Sequence, residues 1–229
     1  MTTRADIVFF DMDHTLIDND CDVSWKNFLI DEGLADASER ATADRFWQLY
    51  CRGELPEADF LAFQMRQFAG RTPREMAPLL ERHFRERVKP KIYPQAVRQV
   101  RAALERGAPA VMLTATNRPV AEPLARELGL SDIIATELEL VDGRYTGRIV
   151  EPYCSKAGKV RLARAWCEAR GLDLARAAYF GDSLADVPML EAVAEPTVVN
   201  PSGELLTCAQ TRRWRIETWA LNHREPSRR

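Results

Sequence analysis

The sequence predicts an α/β fold in which a mostly parallel β-sheet is covered on both faces by helices and a block of helices follows the first strand. Three observations predict it. Residues 7–10 are a short, wholly apolar run of the kind found centrally in a parallel sheet. Residues 18–89 have the pattern of consecutive helices. From residue 90 onwards, strand-like apolar runs alternate with amphipathic stretches.

The stretch after the first strand predicts four amphipathic helices that close a small four-helix bundle. These helices begin near Asp22, Asp36, Pro56 and Thr72, and the first three stop at Gly33, Gly53 and Gly70. Asp36 and Glu39 form a candidate capping pair. We therefore expect three regions: a core made of residues 1–17 and 90–224, a helical cap over residues 18–89, and a disordered tail at 225–229.

The remaining strands are expected wherever short apolar runs end in polar turns. They lie near residues 109–113, 133–136, 177–180, 197–199 and 214–216. Asp142 and Gly143 carry the signature of a β-hairpin turn.

Composition excludes several function classes. The chain has 229 residues, a net charge of -2 and no basic run, so we expect neither a nucleic-acid nor a membrane partner. Its first six residues lack an apolar signal core, and no apolar run reaches membrane-spanning length, so a cytoplasmic location is expected. The five cysteines never form Cys-x-x-Cys, which argues against a zinc site or a disulfide framework.

Two carboxylates follow the first strand. Asp11 and Asp13 stand where ligands bind in open α/β sheets, beyond the carboxyl ends of the strands. Two like charges held this close are costly unless they share a cation, and a divalent metal is the simplest reason to keep both. A polar loop after a buried strand is the plainer alternative.

Three downstream elements decide between these interpretations. Thr114 ends the second strand, and its hydroxyl with the amides of the next residues can hold a phosphoryl oxygen, although a turn threonine is common. Lys159 is one of only five lysines among 32 basic residues, and we interpret its neighbour Lys156 as an ordinary solvent-exposed lysine. Residues 181–186, Gly-Asp-Ser-Leu-Ala-Asp, supply a tight turn with two acids. The order of these three elements along the chain, after Asp11 and Asp13, favours a phosphoryl-transfer site.

Together these four elements resemble the motifs of phosphatases in the haloacid dehalogenase superfamily. The matching residues are Asp11, Asp13, Thr15, Thr114, Lys159, Gly181, Asp182, Ser183 and Asp186. The helical insertion resembles the cap of the phosphoserine phosphatase-like branch, which includes some histidinol-phosphate phosphatases. The resemblance implies a Rossmann-like three-layer core and a small phosphomonoester substrate. We expect a monomer or a homodimer.

The resemblance also implies site roles. Asp11 is the nucleophile that forms an aspartyl phosphate, and Asp13 is the general acid and base. Mg²⁺ is held by the side chains of Asp11 and Asp182 and the backbone carbonyl of Asp13, while Asp186 and Ser183 arrange its surroundings. Thr114 and Lys159 stabilise the transferring phosphoryl group. Further substrate contacts are expected from Ala115, Thr116 and Asn117.

The sequence departs from the phosphoserine phosphatase pattern where the substrate's amino acid is bound. Asp20 replaces the usual longer Glu, Ala185 replaces an Asn, and Arg66 is about one residue out of register as a carboxylate ligand. These changes weaken a phosphoserine assignment and leave histidinol phosphate possible. We interpret His14 as a loop residue whose side chain points away from the site. The alternatives are a non-catalytic phosphate-ligand binding protein and a phosphotransferase.

Overall fold

Seven strands form one sheet in the computed structural model, which describes residues 5–221 except the side chains of residues 50 and 51. The strands are β1 Ile7–Phe10, β2 Ala110–Asn117, β3 Asp132–Val141, β4 Arg144–Val150, β5 Ala177–Gly181, β6 Glu195–Val199 and β7 Arg215–Glu217. Their spatial order is β4-β3-β2-β1-β5-β6-β7, and every neighbouring pair is parallel except the β3–β4 hairpin. This confirms the predicted mostly parallel sheet.

Helices cover both faces of this sheet. The α-helices are α1 Cys21–Asp31, α2 Glu39–Cys51, α3 Glu57–Met65, α4 Pro73–His83, α5 Pro94–Glu105, α6 Arg118–Leu128, α7 Ala157–Glu168, α8 Val187–Ala192 and α9 Gly203–Arg212. A π-helical turn, Phe84–Val88, and a 3₁₀ turn, Lys89–Lys91, lead from α4 towards α5. None of the helices within residues 5–221 combines the length and apolarity that crossing a membrane requires.

The alternation of side chains along β1 divides the apolar core into two clusters. Ile7 and Phe9 lie in the cluster that α7, α8 and α9 cover, through residues such as Ala163. Val8 and Phe10 lie in the cluster on the opposite face. Because successive strand residues point to opposite faces, an apolar run of only four residues anchors both layers.

The helical insertion shares its core with the sheet. Trp25 and Phe28 of α1 and Met76 of α4 belong to the same buried cluster as Phe10. The β3–β4 hairpin also contacts the insertion, with the Tyr145 ring 5.4 Å from the Phe68 ring in an edge-to-face arrangement. The four predicted helices of this insertion are present as α1 to α4. The division of the chain into a core and a cap at residues 18–89 stays a prediction.

The second cap helix begins differently from the prediction. The Asp36 carboxylate accepts a hydrogen bond from the backbone N–H of Ser38 at 2.8 Å. The Glu39 carboxylate instead binds the fully buried ammonium of Lys26 at 2.7 Å and the guanidinium of Arg66 at 2.7 Å. The proposed capping pair is therefore wrong, because Glu39 neutralises a buried lysine that the sequence pattern did not reveal.

Two strand ends were also mispredicted. β2 continues through residues 114–117 after a register shift, and the Thr136 hydroxyl donates to the Ala115 carbonyl oxygen at 2.6 Å. β3 is one ten-residue strand that leaves β2 to pair with β4. Polar residues at the ends of both strands gave the appearance of turns. The predicted disordered tail lies outside the described residues.

His83 is a buried base between the cap helices. Its side chain lies edge-on to Trp25, with ring centroids 5.3 Å apart, and its Nε2 is 2.9 Å from the Ser24 hydroxyl. Burial lowers the pKa of His83 to about 3. The folded protein therefore holds this imidazole neutral in mildly acidic solution, where an unfolded chain would protonate it.

This difference predicts a pH-dependent loss of stability. Between pH 6.5 and 3 the unfolded chain binds the extra proton, so its free energy falls relative to the folded state as the pH decreases. We expect the wild type to lose about 2 kcal/mol between pH 7 and pH 5 relative to His83→Gln. Urea denaturation of both proteins at several pH values measures this. If the free energies of unfolding of the two proteins changed with pH in parallel, this prediction would be contradicted.

Candidate active site

A cavity of about 1440 Å³ opens at the carboxyl ends of β1, β2 and β5, between the sheet and the helical insertion. The structure brings together most of the residues that the sequence singled out. Its wall includes Asp11, Asp13, Asp20, Thr114, Ala115, Thr116, Lys159, Asp182 and Ser183. This position follows from the parallel pairing of β1 with both β2 and β5, which places the three strand ends side by side.

Lys159 ties two strands and a helix together beneath this cavity. Its Nζ lies 2.6 Å from Asp11 Oδ1 and 2.7 Å from Asp186 Oδ1, and it donates to the Tyr179 hydroxyl at 3.1 Å. Burial alone would lower the pKa of Lys159, but the two carboxylates raise it well above its ordinary value. The lysine is therefore a permanent buried cation.

The first turn of α7 positions that lysine, and it requires a glycine. A Cβ added at Gly158 would lie 1.9 Å from the carbonyl oxygen of Tyr153. This close approach lets the preceding loop pack directly against the helix start that carries Lys159.

Asp11 is buried at the end of β1. Its backbone N–H donates to the Phe180 carbonyl oxygen at 2.9 Å, which fixes it to the end of β5. Burial raises the pKa of the Asp11 carboxyl to about 6, although the charge of Lys159 opposes the rise. The carboxylate thus faces the cavity with one oxygen already bound to a cation.

Asp186 shapes the turn that follows β5. Its Oδ2 accepts hydrogen bonds from the backbone N–H groups of Asp182 and Ser183 at 3.2 and 3.1 Å, and from the Ser183 hydroxyl at 2.9 Å. A Cβ at Gly181 would come within 2.8 Å of the Asp186 side chain. Burial would raise the pKa of Asp186, but Lys159 holds it below its ordinary value. Asp186 is thus an ionised support for the turn and the lysine.

Three carboxylates converge at this point. Oxygens of Asp11, Asp182 and Asp186 lie within 4.8 Å of one another. Burial, together with the charges of Asp11 and Asp186, raises the pKa of Asp182 well above its ordinary value. One buried lysine neutralises only part of this charge, and carboxylate oxygens are the ligands that Mg²⁺ prefers. The donor set therefore fits a divalent cation.

Asp13 is held separately from this cluster. Its carboxylate accepts from the backbone N–H of Cys21 at 2.7 Å and from the Thr116 hydroxyl at 2.6 Å. Burial and then the charge of Asp20 raise the pKa of Asp13 to about 7. A carboxyl with this pKa exchanges a proton near neutral pH, as a general acid and base must.

The residues at the end of β2 divide into three roles. The Thr114 hydroxyl accepts from the Thr116 N–H at 3.1 Å, so its own proton remains available to a ligand in the cavity. Ala115 and Thr116 also line the cavity, but the Thr116 hydroxyl is committed to Asp13. Asn117 does not line it: its side-chain oxygen Oδ1 caps α6 by accepting from the Val120 N–H at 3.2 Å.

The cap side of the cavity differs from the predicted substrate contacts. Asp20 lines the cavity and caps α1 by accepting from the Val23 N–H at 2.8 Å. Arg66 does not line it, since its guanidinium is bound to Glu39. We interpreted the His14 side chain as pointing away from the site, whereas His14 lines the cavity and its ring lies 5.7 Å from that of Trp47, which lines it too. The sequence analysis also missed Asp22, which stands one helical position inside α1 and faces the same space.

Acidic side chains outnumber basic ones in the cavity wall. The arginine and lysine side chains that line it within residues 5–221 are all paired with carboxylates. The pairs are Arg52 with Glu54, Lys156 with Glu57, and Lys159 with Asp11 and Asp186. Lys156 is solvent-exposed as predicted and also joins the core to α3. The geometry leaves an excess of acidic groups for cations to neutralise.

Comparison with known proteins decides the family. Residues 8–191 match the family model described as haloacid dehalogenase-like hydrolase. The chain belongs to this family. The matched segment contains every residue of the cluster around Lys159, and it confirms the recognition made from the four motifs.

Relatives of the chain carry phosphatase names. It is 33% identical over 215 residues to a histidinol-phosphatase of Neisseria meningitidis, covering 92% of this chain and 97% of the relative. It is 30% identical over 222 residues to phosphoserine phosphatase SerB1 of Mycobacterium tuberculosis, covering 93% of this chain and 70% of the relative. The family and the named relatives confirm the prediction of a phosphatase.

Solved structures confirm the predicted fold class. A protein of unknown function from Bordetella pertussis Tohama I is 38% identical, with a TM-score of 0.87 over 96% of this chain and 100% of the other. A substrate-bound phosphoserine phosphatase is 15% identical, with a TM-score of 0.67 over 89% of this chain and 90% of the other. At that identity, the second likeness shows a shared fold alone.

The acidic cluster predicts stabilisation by a divalent metal. We expect millimolar Mg²⁺ to raise the melting temperature of the wild type by a few degrees, since a ligand that binds only the folded state stabilises it. Asp182→Asn is expected to lose this increase because it removes a carboxylate from the cluster. Differential scanning calorimetry with Mg²⁺ and with a chelator measures both.

The matched control for this experiment is Asp142→Asn. Asp142 lies in the exposed β3–β4 turn with a φ of 49°, a conformation that asparagine tolerates well. It should respond to Mg²⁺ like the wild type. An unchanged Mg²⁺ response in Asp182→Asn would show that the cluster is not the metal site.

Proposed function

We propose that the protein is a Mg²⁺-dependent phosphomonoester hydrolase that acts through an aspartyl-phosphate intermediate on Asp11. One observation carries the proposal. Lys159 holds the buried Asp11 carboxylate at the cavity. Asp13 lies two residues further along the same loop, and its carboxyl has a pKa raised to about 7. A nucleophile and a proton-transfer group of suitable pKa thus share one cavity.

The first step forms the intermediate. A carboxylate oxygen of Asp11 attacks the phosphorus of the substrate, and the bond from phosphorus to the leaving oxygen breaks. Protonated Asp13 gives its proton to that oxygen, so the alcohol leaves neutral. Lys159 keeps Asp11 ionised and oriented for attack, since its ammonium is already bound to the Asp11 carboxylate.

The second step releases phosphate. Asp13, now a carboxylate, takes a proton from a water molecule, whose oxygen attacks the phosphorus of the aspartyl phosphate. The acyl–phosphate bond breaks, Asp11 regains its negative charge and Asp13 its proton. The hydrogen bonds from Cys21 N–H and the Thr116 hydroxyl keep Asp13 in place through both steps.

The phosphoryl oxygens meet the end of β2. The Thr114 hydroxyl and the cavity-lining backbone beyond it supply donors, and Lys159 supplies positive charge. The side chains of Asp11 and Asp182, with the backbone carbonyl of Asp13, would hold the Mg²⁺ ion. Bound there, Mg²⁺ supplies charge neutralisation that lets an anionic carboxylate approach an anionic phosphate.

The leaving group that suits this cavity is a cationic amino alcohol. Asp20 and Asp22 line the cavity, and the arginine and lysine side chains of its described wall are paired with acids. Phosphoserine would also bring a carboxylate, but Arg66 is bound to Glu39 outside the cavity wall. We therefore propose histidinol phosphate over phosphoserine, which agrees with the name of the Neisseria meningitidis relative.

The nucleophile assignment predicts a complete loss of turnover in Asp11→Asn. An amide cannot form the aspartyl phosphate, so phosphate release from histidinol phosphate should fall by at least about 1,000-fold. Circular dichroism should show an intact fold. Asp142→Asn, far from the site in the hairpin turn, is the control. An active Asp11→Asn protein would rule out the assignment.

The acid–base assignment predicts a shift in the pH profile of Thr116→Val. The Thr116 hydroxyl stabilises the ionised form of Asp13 and lowers its pKa, so removing it raises that pKa. Because Asp13 must be protonated to release the alcohol, the alkaline limb of kcat/KM should move to higher pH by up to about one unit. Steady-state kinetics between pH 5 and 9 measures this.

Thr136→Val provides the comparison. The Thr136 hydroxyl, on β3, donates to the carbonyl oxygen of Ala115, which precedes Thr116 on β2, and within residues 5–221 it makes no hydrogen bond to a carboxylate. Its alkaline limb should stay at the wild-type position. A limb that moves equally in both variants, or in neither, contradicts the role of Asp13.

A further inference from the structure

His14 is the unexplained residue of the nucleophile loop. It directly follows Asp13 and has a left-handed backbone, with a φ of 53°, that residues other than glycine seldom adopt. Its N–H donates to the Asn19 carbonyl oxygen at 3.3 Å, which closes the loop that carries both catalytic aspartates. Strained conformations of this kind persist where the surrounding structure enforces them, often at functional sites.

That conformation turns the imidazole towards the helical insertion. The His14 ring centroid lies 5.7 Å from that of Trp47 on α2, and the ring planes are inclined at 41°. Both side chains line the cavity. The pair therefore forms an aromatic wall that runs from the loop of the nucleophile to the cap.

One polar atom of this wall is enclosed by the protein. His14 Nε2 is buried from solvent and has no hydrogen-bond partner within residues 5–221. A buried polar atom without a partner is costly, and most such atoms in folded proteins are satisfied. His14 and Trp47 as whole residues are only half-buried, so the wall offers a ligand aromatic surface rather than this enclosed nitrogen.

Acidic groups surround the aromatic wall. Asp20 and Asp22 line the same cavity at the start of α1. Asp20 directly follows Asn19, whose carbonyl oxygen accepts from the His14 N–H, and Asp22 lies two residues further along the chain. The same region thus offers an aromatic surface and two acidic side chains.

We infer that His14 and Trp47 form the specificity subsite for the leaving group, and that this group carries an aromatic ring beside its ammonium. The ring packs against the aromatic pair of His14 and Trp47, while Asp20 and Asp22 receive the ammonium. This inference rests on the proposed phosphatase function, and it explains how the site distinguishes a ring-bearing amino alcohol from a short one such as serine.

A purely structural role makes a different prediction. If His14 and Trp47 served only to hold α2 against the nucleophile loop, their loss would impair every substrate alike. A specificity subsite affects only substrates that carry the ring. The ratio of kcat/KM values for two substrates separates the roles, because defects in the common phosphoryl site cancel in it.

The experiment compares histidinol phosphate with β-glycerol phosphate, which has neither ring nor ammonium. We would measure kcat/KM for the wild type, His14→Asn and Trp47→Leu. Asparagine tolerates the left-handed backbone at position 14, so this variant preserves the loop. The preference for histidinol phosphate should fall by at least about tenfold in each variant, mainly through KM.

Trp166→Phe is the matched control. Trp166 lies two turns beyond Lys159 on α7, where its indole N–H donates to Asp132 at 2.7 Å. The preference of Trp166→Phe for histidinol phosphate over β-glycerol phosphate should equal that of the wild type. A preference that stays within about twofold of the wild type in both cavity variants would overturn the subsite.

A binding measurement separates this inference from the proposed function. Calorimetry of histidinol phosphate binding to Asp11→Asn requires no turnover, and adding His14→Asn or Trp47→Leu should weaken the affinity by at least about tenfold. Selective loss of binding with no wild-type turnover would refute the proposed function and keep the subsite. Turnover by the wild type, with no selective loss of binding in the variants, would support the proposed function and refute the subsite. If Trp47→Leu fails to fold, His14→Asn alone decides.

Discussion

The buried ion pairs of Lys159 are the interaction on which the site depends. One ammonium joins the end of β1 through Asp11, the turn after β5 through Asp186, and the start of α7, which carries the lysine. Removing one partner of such an arrangement leaves a buried charge without compensation, which costs about 3–5 kcal/mol. The same contacts that join these elements therefore hold Asp11, the proposed nucleophile, ionised and oriented, so the fold and the proposed chemistry depend on the same atoms.

The remaining electrostatics of the cavity follow from an excess of carboxylates. Asp182 shares the cluster with Asp11 and Asp186, while Asp13 and Asp20 raise the charge density on the cap side. Lys159 neutralises part of this charge, and the other two basic side chains of the described wall, Arg52 and Lys156, are paired with Glu54 and Glu57. The cavity is suited to receive its positive charge from outside, as a metal ion at one end and as the leaving group at the other.

The sequence predicted which strand ends meet at the cavity, because short apolar runs that end in acidic or polar residues mark strand ends without any knowledge of the cap. It failed where a side chain's role depends on a distant partner. Glu39 had the spacing of a capping residue, but the buried Lys26 ammonium claims it. Arg66 was near the expected position of a substrate ligand and is bound to that same Glu39. The direction of the His14 side chain depends on a left-handed backbone that no local pattern indicated.

Chemical trapping of the intermediate tests the central claim most directly. Borohydride reduces an acyl phosphate to an alcohol but leaves a free carboxylate untouched. Enzyme quenched with borohydride during turnover of histidinol phosphate and digested for mass spectrometry should therefore carry one reduced side chain, at Asp11, and none without substrate. Reduction at another residue, or no reduction while phosphate is released at full rate, would contradict the assignment of Asp11 as the nucleophile.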